Sequence, residues 1–325
     1  MIISQTPLRI SFVGGGTDFE SFYRQYPGKV LSTAIDKYFY ITVNPRFDGK
    51  LKISYSETEL VNHSSQVKHP LVKAALEETG IETGIDIVSL SDIPAYKTGL
   101  GLGSSSSFTV GLLNCLYEYL GQKLSPSVLA EKACEIEIER AGSPIGKQDQ
   151  YAAAFGGLNV INFNTNGEIE VSPVLLNPRT RQNFEKHLLV FFTGKERSAN
   201  LILSEQKQNI EKKIDSLKKM SDMVPVLMAA IGQENFKKVG EILHENWMLK
   251  KDLSQGVSNP HIDAMYETAL KAGAFGGKIL GAGGGGFLLV IAPLERHQKI
   301  KEVLSAYTLT TLHFSDVGSR IVFKN

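Results

Sequence analysis

Four stretches of the chain combine residue types that can do chemistry. The most specific is Lys97-Thr-Gly-Leu-Gly-Leu-Gly-Ser-Ser-Ser-Ser-Phe108, where Gly99, Gly101 and Gly103 alternate with other residues and run into Ser104, Ser105, Ser106 and Ser107. Residues 108–117 read as a helix. A glycine loop opening a helix presents unpaired backbone N–H groups and the positive end of the helix dipole, and a polyphosphate is the natural occupant. Serine hydroxyls add donors for phosphate oxygens or a ligand for Mg²⁺. The same composition also suits a plain surface turn. The stretch is neither a dinucleotide fingerprint nor a P-loop, because no Gly-Lys-Ser/Thr closes it.

The other three stretches, and one helical segment between them, carry charge or backbone freedom. In Pro7-Leu-Arg-Ile-Ser-Phe-Val-Gly-Gly-Gly-Thr-Asp18, Arg9 interrupts an apolar strand, a setting from which arginines usually snorkel outward. Gly14, Gly15 and Gly16 let the backbone approach a ligand, with Asp18 as a carboxylate at the rim. That carboxylate suits sugar hydroxyls and is equally able to cap a helix from Phe19. Across residues 130–141, a projection of about 100° per residue gathers Ala130, Ala133, Cys134, Ile138 and Ala141 into one sector with Glu137 among them, and turns Glu139 away. A glutamate on a packed face needs a cation or several donors, so Glu137 is expected to ligate a metal, with an interhelical salt bridge as the competing role. In Ser143-Pro-Ile-Gly-Lys-Gln-Asp-Gln-Tyr151, Asp149 enters a small-residue helix, either as a first-turn acid or as a base or charge partner for a nucleophilic hydroxyl. Finally, Lys278-Ile-Leu-Gly-Ala-Gly-Gly-Gly-Gly-Phe287 places five glycines in six positions between apolar strands. Core flanks argue against a linker and for close approach of backbone to a ligand or to the first glycine loop.

The elements that must position these residues interleave. Strands are expected at 2–4, 8–13, 30–35, 38–43, 51–55, 85–90, 158–163, 168–175, 187–193, 278–280, 287–292, 308–314 and 320–323. Helices are expected at 70–78, 126–141, 148–155, 198–220, 224–231, 235–251, 260–271 and 295–307. This mixture predicts an α+β fold in two domains, 1–195 and 196–325. The 325 residues are 42% hydrophobic and 21% charged, enough for a sizeable core. Thirty-five basic against 34 acidic side chains leave a net charge of +1, which argues against nucleic acid or a membrane surface as partner. Cys115 and Cys134 sit among apolar neighbours and are expected as core thiols. No signal-peptide pattern and no apolar run of roughly 20 residues is visible, so a cytoplasmic protein is expected.

In this order, the four stretches resemble the GHMP kinases (galactokinase, homoserine, mevalonate and phosphomevalonate kinases). Within that family, Pro7-Leu-Arg-Ile-Ser-Phe followed by Gly14-Gly-Gly-Thr-Asp18, Gly101-Leu-Gly-Ser-Ser-Ser-Ser107, Gly146-Lys-Gln-Asp-Gln-Tyr151 and Gly281-Ala-Gly-Gly-Gly-Gly-Phe287 look closest to the D-glycero-D-manno-heptose 7-phosphate kinases. The resemblance implies a ribosomal-protein-S5-like N-terminal domain, a ferredoxin-like C-terminal domain and an active site between them. It implies ATP phosphates at Gly99, Gly101, Gly103, Ser104, Ser105 and Ser106, with Mg²⁺ held by Ser105 and Glu137. It makes Asp149 the catalytic aspartate, Arg9 its basic partner and Asp18 a ligand of sugar hydroxyls, with Gly15, Gly16, Gly283 and Gly284 along the substrate. Galactokinase-type members carry Gly-Glu-His-Thr-Asp where this chain has Gly14-Gly-Gly-Thr-Asp18, which argues against galactose.

The implied reaction is ATP-dependent phosphorylation of the anomeric hydroxyl of D-glycero-D-manno-heptose 7-phosphate, giving the 1,7-bisphosphate. The distal phosphate then needs a cation, for which Lys195 and Arg197 are the candidates, against the plain alternative of solvated junction charges. The rival readings are a kinase of an unphosphorylated sugar such as L-fucose, a silent GHMP-fold sensor, and a decarboxylase of a phosphorylated acid. The presence of Arg9, Ser105, Glu137 and Asp149 disfavours a silent protein, and Gly146-Lys-Gln-Asp-Gln150 disfavours decarboxylation.

Overall fold

The computed structural model describes residues 1–93, 100–194 and 199–325. Its strands are β1 (Ile2–Val13), β2 (Gly28–Pro45), β3 (Leu51–Ser54), β4 (Thr58–Val61), β5 (Ile85–Ser91), β6 (Leu158–Phe163), β7 (Ile169–Pro173), β8 (Leu188–Phe192), β9 (Gly276–Ile279), β10 (Phe287–Ile291), β11 (Thr308–Thr310) and β12 (Arg320–Lys324). They form two sheets. The first runs β12-β1-β2-β5-β3-β4, with β6 attached to β2 and β7 to β6; the second runs β11-β8-β10-β9. All pairings are antiparallel except β3 with β5.

The two β segments expected at 30–35 and 38–43 are one strand. β2 is long enough to pair with β1 along its whole length, with β6 through its first half and with β5 through its second. β1 also is continuous, but its register against β2 slips between Pro7 and Arg9. Proline supplies no N–H to the ladder, and the slip reverses which residues face the Ser104–Tyr119 helix. Before it, Ser4 and Thr6 do: Ser4 Oγ donates to Gly111 O, and a Cβ on Gly111 would lie 2.7 Å from Thr6 Oγ1. After it, Arg9 turns to that side, where a Cβ on Gly103 would lie 3.0 Å from its Cγ. Phe12 points the other way, against Phe184 and Phe314.

Two boundaries differ from expectation. β8 already belongs to the second sheet, so sheet membership changes before residue 195, and β12 returns the chain end to the first sheet. The helix expected at 198–220 is broken by a 3-10 turn, Ile210–Lys212, after which Ile214–Gly232 is continuous through Pro225. Ile210 leaves the helical path to pack with Phe19, Phe22, Leu217, Met220 and Leu253, a third small core. β11 and the last helix are also shorter than expected, with β11 ending at Thr310 and the helix His297–Val303 preceded by a 3-10 turn. Cys115 and Cys134 are buried and free. No described helix is long and apolar enough to cross a membrane.

Candidate active site

The site forms where the C-terminal part of β1 meets the entrance of the Ser104–Tyr119 helix and the entrance of the Gln148–Phe155 helix. The four serines do not precede the first helix. They are its first turn, with Gly103 as N-cap in the left-handed conformation (φ 73°). No side chain caps this end, so its first N–H groups face outward. Ser105 is exposed at the tip and its Oγ donates to Glu137 Oε1 at 2.6 Å. Ser106 is buried with its hydroxyl near the same carboxylate. Ser107 turns away, donating to Pro7 O at 2.7 Å within the core.

Glu137 reaches this point through a π-helical turn, Glu135–Arg140, which continues the helix Pro126–Cys134. The wider turn, seen in the bond from Ala141 N to Ile136 O, keeps both Ile136 and Glu137 buried while Glu139 stays exposed. Gln150 Nε2 donates to Glu137 Oε2 at 2.6 Å. Burial raises the Glu137 pKa to about 7, against the pull of the Ser105, Ser106 and Gln150 hydrogen bonds and with the added repulsion of Asp149. The exposed Ser105 hydroxyl and one buried carboxylate, with no third acidic, His or Cys neighbour in a cluster among the described residues, form a hard all-oxygen donor pair. That set fits Mg²⁺, which takes few protein ligands and completes its shell with water and phosphate.

Arg9 ties three segments together. Nε donates to Asp149 Oδ1 and an Nη to Asp149 Oδ2, both at 2.7 Å; the other Nη donates to Gly101 O at 2.7 Å. Its backbone N–H goes to Leu102 O instead of into the sheet. The fork fixes the carboxylate in plane, while Asp149 keeps 23% of its side chain exposed. Two residues further along β1, Ser11 Oγ donates to Gln148 Oε1 at 2.8 Å, so consecutive residues of one strand face grip consecutive residues of one helix start.

Asp18 is not at the rim. It is 2% exposed and accepts from Gly16 N and Gln148 N, while its backbone carbonyl accepts from Lys147 N. Burial leaves its pKa raised, with the amides pulling against the shift and Asp149 adding to it. A carboxylate in that position needs donors, and the turn supplies them. Gly15 faces Gln148, Lys250 and Ser11, whereas Gly16 faces Leu217 and Leu253. The second glycine run meets the first, as its apolar flanks suggest: a Cβ on Gly281 would lie 2.4 Å from Gly101 Cα, and one on Gly101 2.4 Å from Leu280 O. Gly283 and Gly284 are instead engaged with Val257. Gly99, Lys195 and Arg197 lie outside the described residues.

One wall of the site was not anticipated. The helix Phe236–Leu253 presents Val239, Leu243, Asn246, Lys250 and Leu253 along its buried stripe. Lys250 Nζ donates to Gly281 O at 2.6 Å, and burial lowers its pKa to about 8 despite Asp18 and Asp149 nearby. Asn246 accepts from Gly14 N at 3.5 Å, and its Nδ2 has no partner among the described residues. On β9, Lys278 Nζ donates to Ser11 O and Phe12 O, with its pKa held well below normal by burial and by Lys250 and Arg9. The available signal was Asn246 and Lys250 at stripe positions that otherwise hold apolar residues.

The family model described as GHMP kinases N terminal domain matches residues 66–157, and that described as GHMP kinases C terminal matches 227–308. A D-glycero-alpha-D-manno-heptose 7-phosphate kinase of Campylobacter jejuni is 31% identical over 92% of each chain. A bifunctional fucokinase/GDP-fucose pyrophosphorylase of Arabidopsis thaliana is 26% identical over 92% of this chain and 30% of that longer protein. The crystal structure of a D-glycero-D-manno-heptose 1-phosphate kinase from Bacteroides thetaiotaomicron superposes with a TM-score of 0.82, covering 100% of both chains at 25% identity.

Proposed function

The chain belongs to the GHMP kinase family and is an ATP-dependent sugar kinase, and from that premise we propose that it phosphorylates the anomeric hydroxyl of D-glycero-D-manno-heptose 7-phosphate to the 1,7-bisphosphate. The observation that carries the reading is the Arg9 fork, which orients Asp149 and at the same time binds the loop carbonyl of Gly101. Acceptor activation and phosphate positioning thereby share one rigid part.

Phosphoryl transfer depends on positioning and charge neutralisation more than on covalent chemistry with the protein. The uncapped amides of the Ser104–Tyr119 helix, with Gly101 and Gly103 before them, would bind the ATP phosphates. Ser105 and Glu137 would hold Mg²⁺, which neutralises phosphate charge when bound. Asp149 takes, or orients, the proton of the attacking hydroxyl, and Arg9 holds its carboxylate in plane. Asp18 shapes the sugar side by fixing the Gly16 and Gln148 amides. Such a reaction draws on ATP and fits a cytoplasmic location.

The test is a panel of sugars and sugar phosphates scored by ATP consumption, with product regiochemistry read by phosphorus NMR. Preferred turnover of the heptose 7-phosphate with a new anomeric phosphate is expected. Turnover of L-fucose or another free sugar in its place would overturn the acceptor assignment while leaving a sugar 1-kinase.

A further inference from the structure

Gly15 marks a small polar niche. A Cβ there would stand 3.5 Å from Gln148 Nε2, 3.7 Å from Lys250 Nζ and 3.7 Å from Ser11 Oγ. Three polar side chains from three elements thus converge on one point that carries no side chain of its own. Ser11 and Gln148 bond each other, and Gln148 and the adjoining Asp149 are partly exposed. Lys250 is 6% exposed, and its ammonium has a single partner among the described residues, the Gly281 carbonyl. An ammonium has three donors, so two remain unused in a place where desolvation opposes the charge. Asp18 and Asp149 favour that charge, while Arg9 opposes it and Lys278 lies close by.

A lysine kept only to pin the Gly281 loop would not need to face this niche. We propose that Lys250 is a catalytic-site residue of the acceptor half of the reaction: its two unused donors bind oxygen atoms of the sugar beside the hydroxyl that Asp149 serves. The ligand class is a polyol whose neighbouring oxygens accept hydrogen bonds from a cation on one side and from Gln148 on the other. The inference rests on the sugar-kinase reading but not on the heptose assignment. Its location on the second half of the chain makes acceptor binding depend on the seam between Gly101 and Gly281.

The experiment uses whichever acceptor the wild-type protein turns over, so a wrong choice of sugar leaves it intact. Lys250→Met is expected to raise the acceptor KM at least tenfold and leave the ATP KM within about twofold, with the thermal shift induced by ATP preserved as proof of folding. Lys250→Gln gives a second route. It keeps two N–H donors without the charge, and an acceptor KM between those of wild type and Lys250→Met is expected. An acceptor KM unchanged in Lys250→Met, an equal rise in both Michaelis constants, or an acceptor KM in Lys250→Gln no better than in Lys250→Met would each overturn the proposal.

Discussion

The two walls of the site are built on opposite principles. On the wall made by β1 and the two helix entrances, every charge has a matched partner. Arg9 forks onto Asp149, Glu137 accepts from Ser105 and Gln150, and Asp18 accepts from two amides. On the wall made by the Phe236–Leu253 helix and β9, two buried lysines have only backbone carbonyls for partners, and the Asn246 amide nitrogen has none among the described residues. The first wall is pre-organised without a ligand. The second holds donors that burial makes costly, and such donors are retained where something else uses them.

The largest expected effect is at the seam joining the walls. Gly101→Ala would force a Cβ to 2.4 Å from Leu280 O at a φ of 80°. A cost of about 4 kcal/mol or more is expected, read as a large fall in melting temperature with loss of activity. Retention of both would show that the walls need not touch. Next is Asp149→Asn, which keeps a planar acceptor for Arg9 and removes the base. A fall in kcat of about 10²–10⁴-fold with ATP binding preserved is expected from isotope-free turnover and nucleotide titration. Unchanged turnover would remove Asp149 from the mechanism.

Burial chemistry gives a third way to separate the walls. Burial lowers the Lys250 pKa from the usual 10.5 to about 8, so at neutral pH its charge destabilises the fold by about 3 kcal/mol. Between pH 8 and 10.5 the unfolded chain binds more protons than the folded one, so this penalty disappears as pH rises through that window. Lys250→Met removes it and orphans the Gly281 carbonyl at a cost of about 1 kcal/mol. The variant is expected to be more stable than wild type by about 2 kcal/mol at pH 7, with the gap closing and then reversing as pH approaches 10.5 in urea titrations. A less stable variant at pH 7 would mean that Lys250 serves the fold.

The first wall was largely legible in the sequence because its residues stand in short motifs where composition itself is unusual: glycines before serines, a glutamate in an alanine-rich sector, an aspartate after Pro144 and Gly146. The helices Gln148–Phe155 and Pro260–Lys271 also have the bounds expected of them. What was not legible depends on tertiary geometry. The slip after Pro7 decides that Arg9 shares a face with Thr6, and no alternation count reports a bulge. The turn at Ile210–Lys212 follows from a hydrophobic contact with Phe19 and Leu253, distant in sequence. Lys250 looks like one more lysine on an amphipathic helix until its stripe is seen to face Gly15 and Gly281.

The smallest effect sharpens the distinction within the first wall, between serines that neighbour one another in sequence and differ in direction. Ser107 donates to Pro7 O in the core, at the point where β1 changes register. Ser107→Ala leaves that buried carbonyl unsatisfied and is expected to cost about 1–2 kcal/mol of stability with little change in the ATP KM. Ser105 is exposed and touches Glu137, whose pKa near 7 lets it take up a proton when the donor is lost. Ser105→Ala is therefore expected to leave stability nearly unchanged and to raise the KM for Mg-ATP severalfold. The pair of measurements, thermal denaturation and nucleotide titration, must separate the two variants in opposite directions. If both variants moved the same quantity, the helix entrance would be acting as one structural cap, and the division between a phosphate-facing and a core-facing serine would fail.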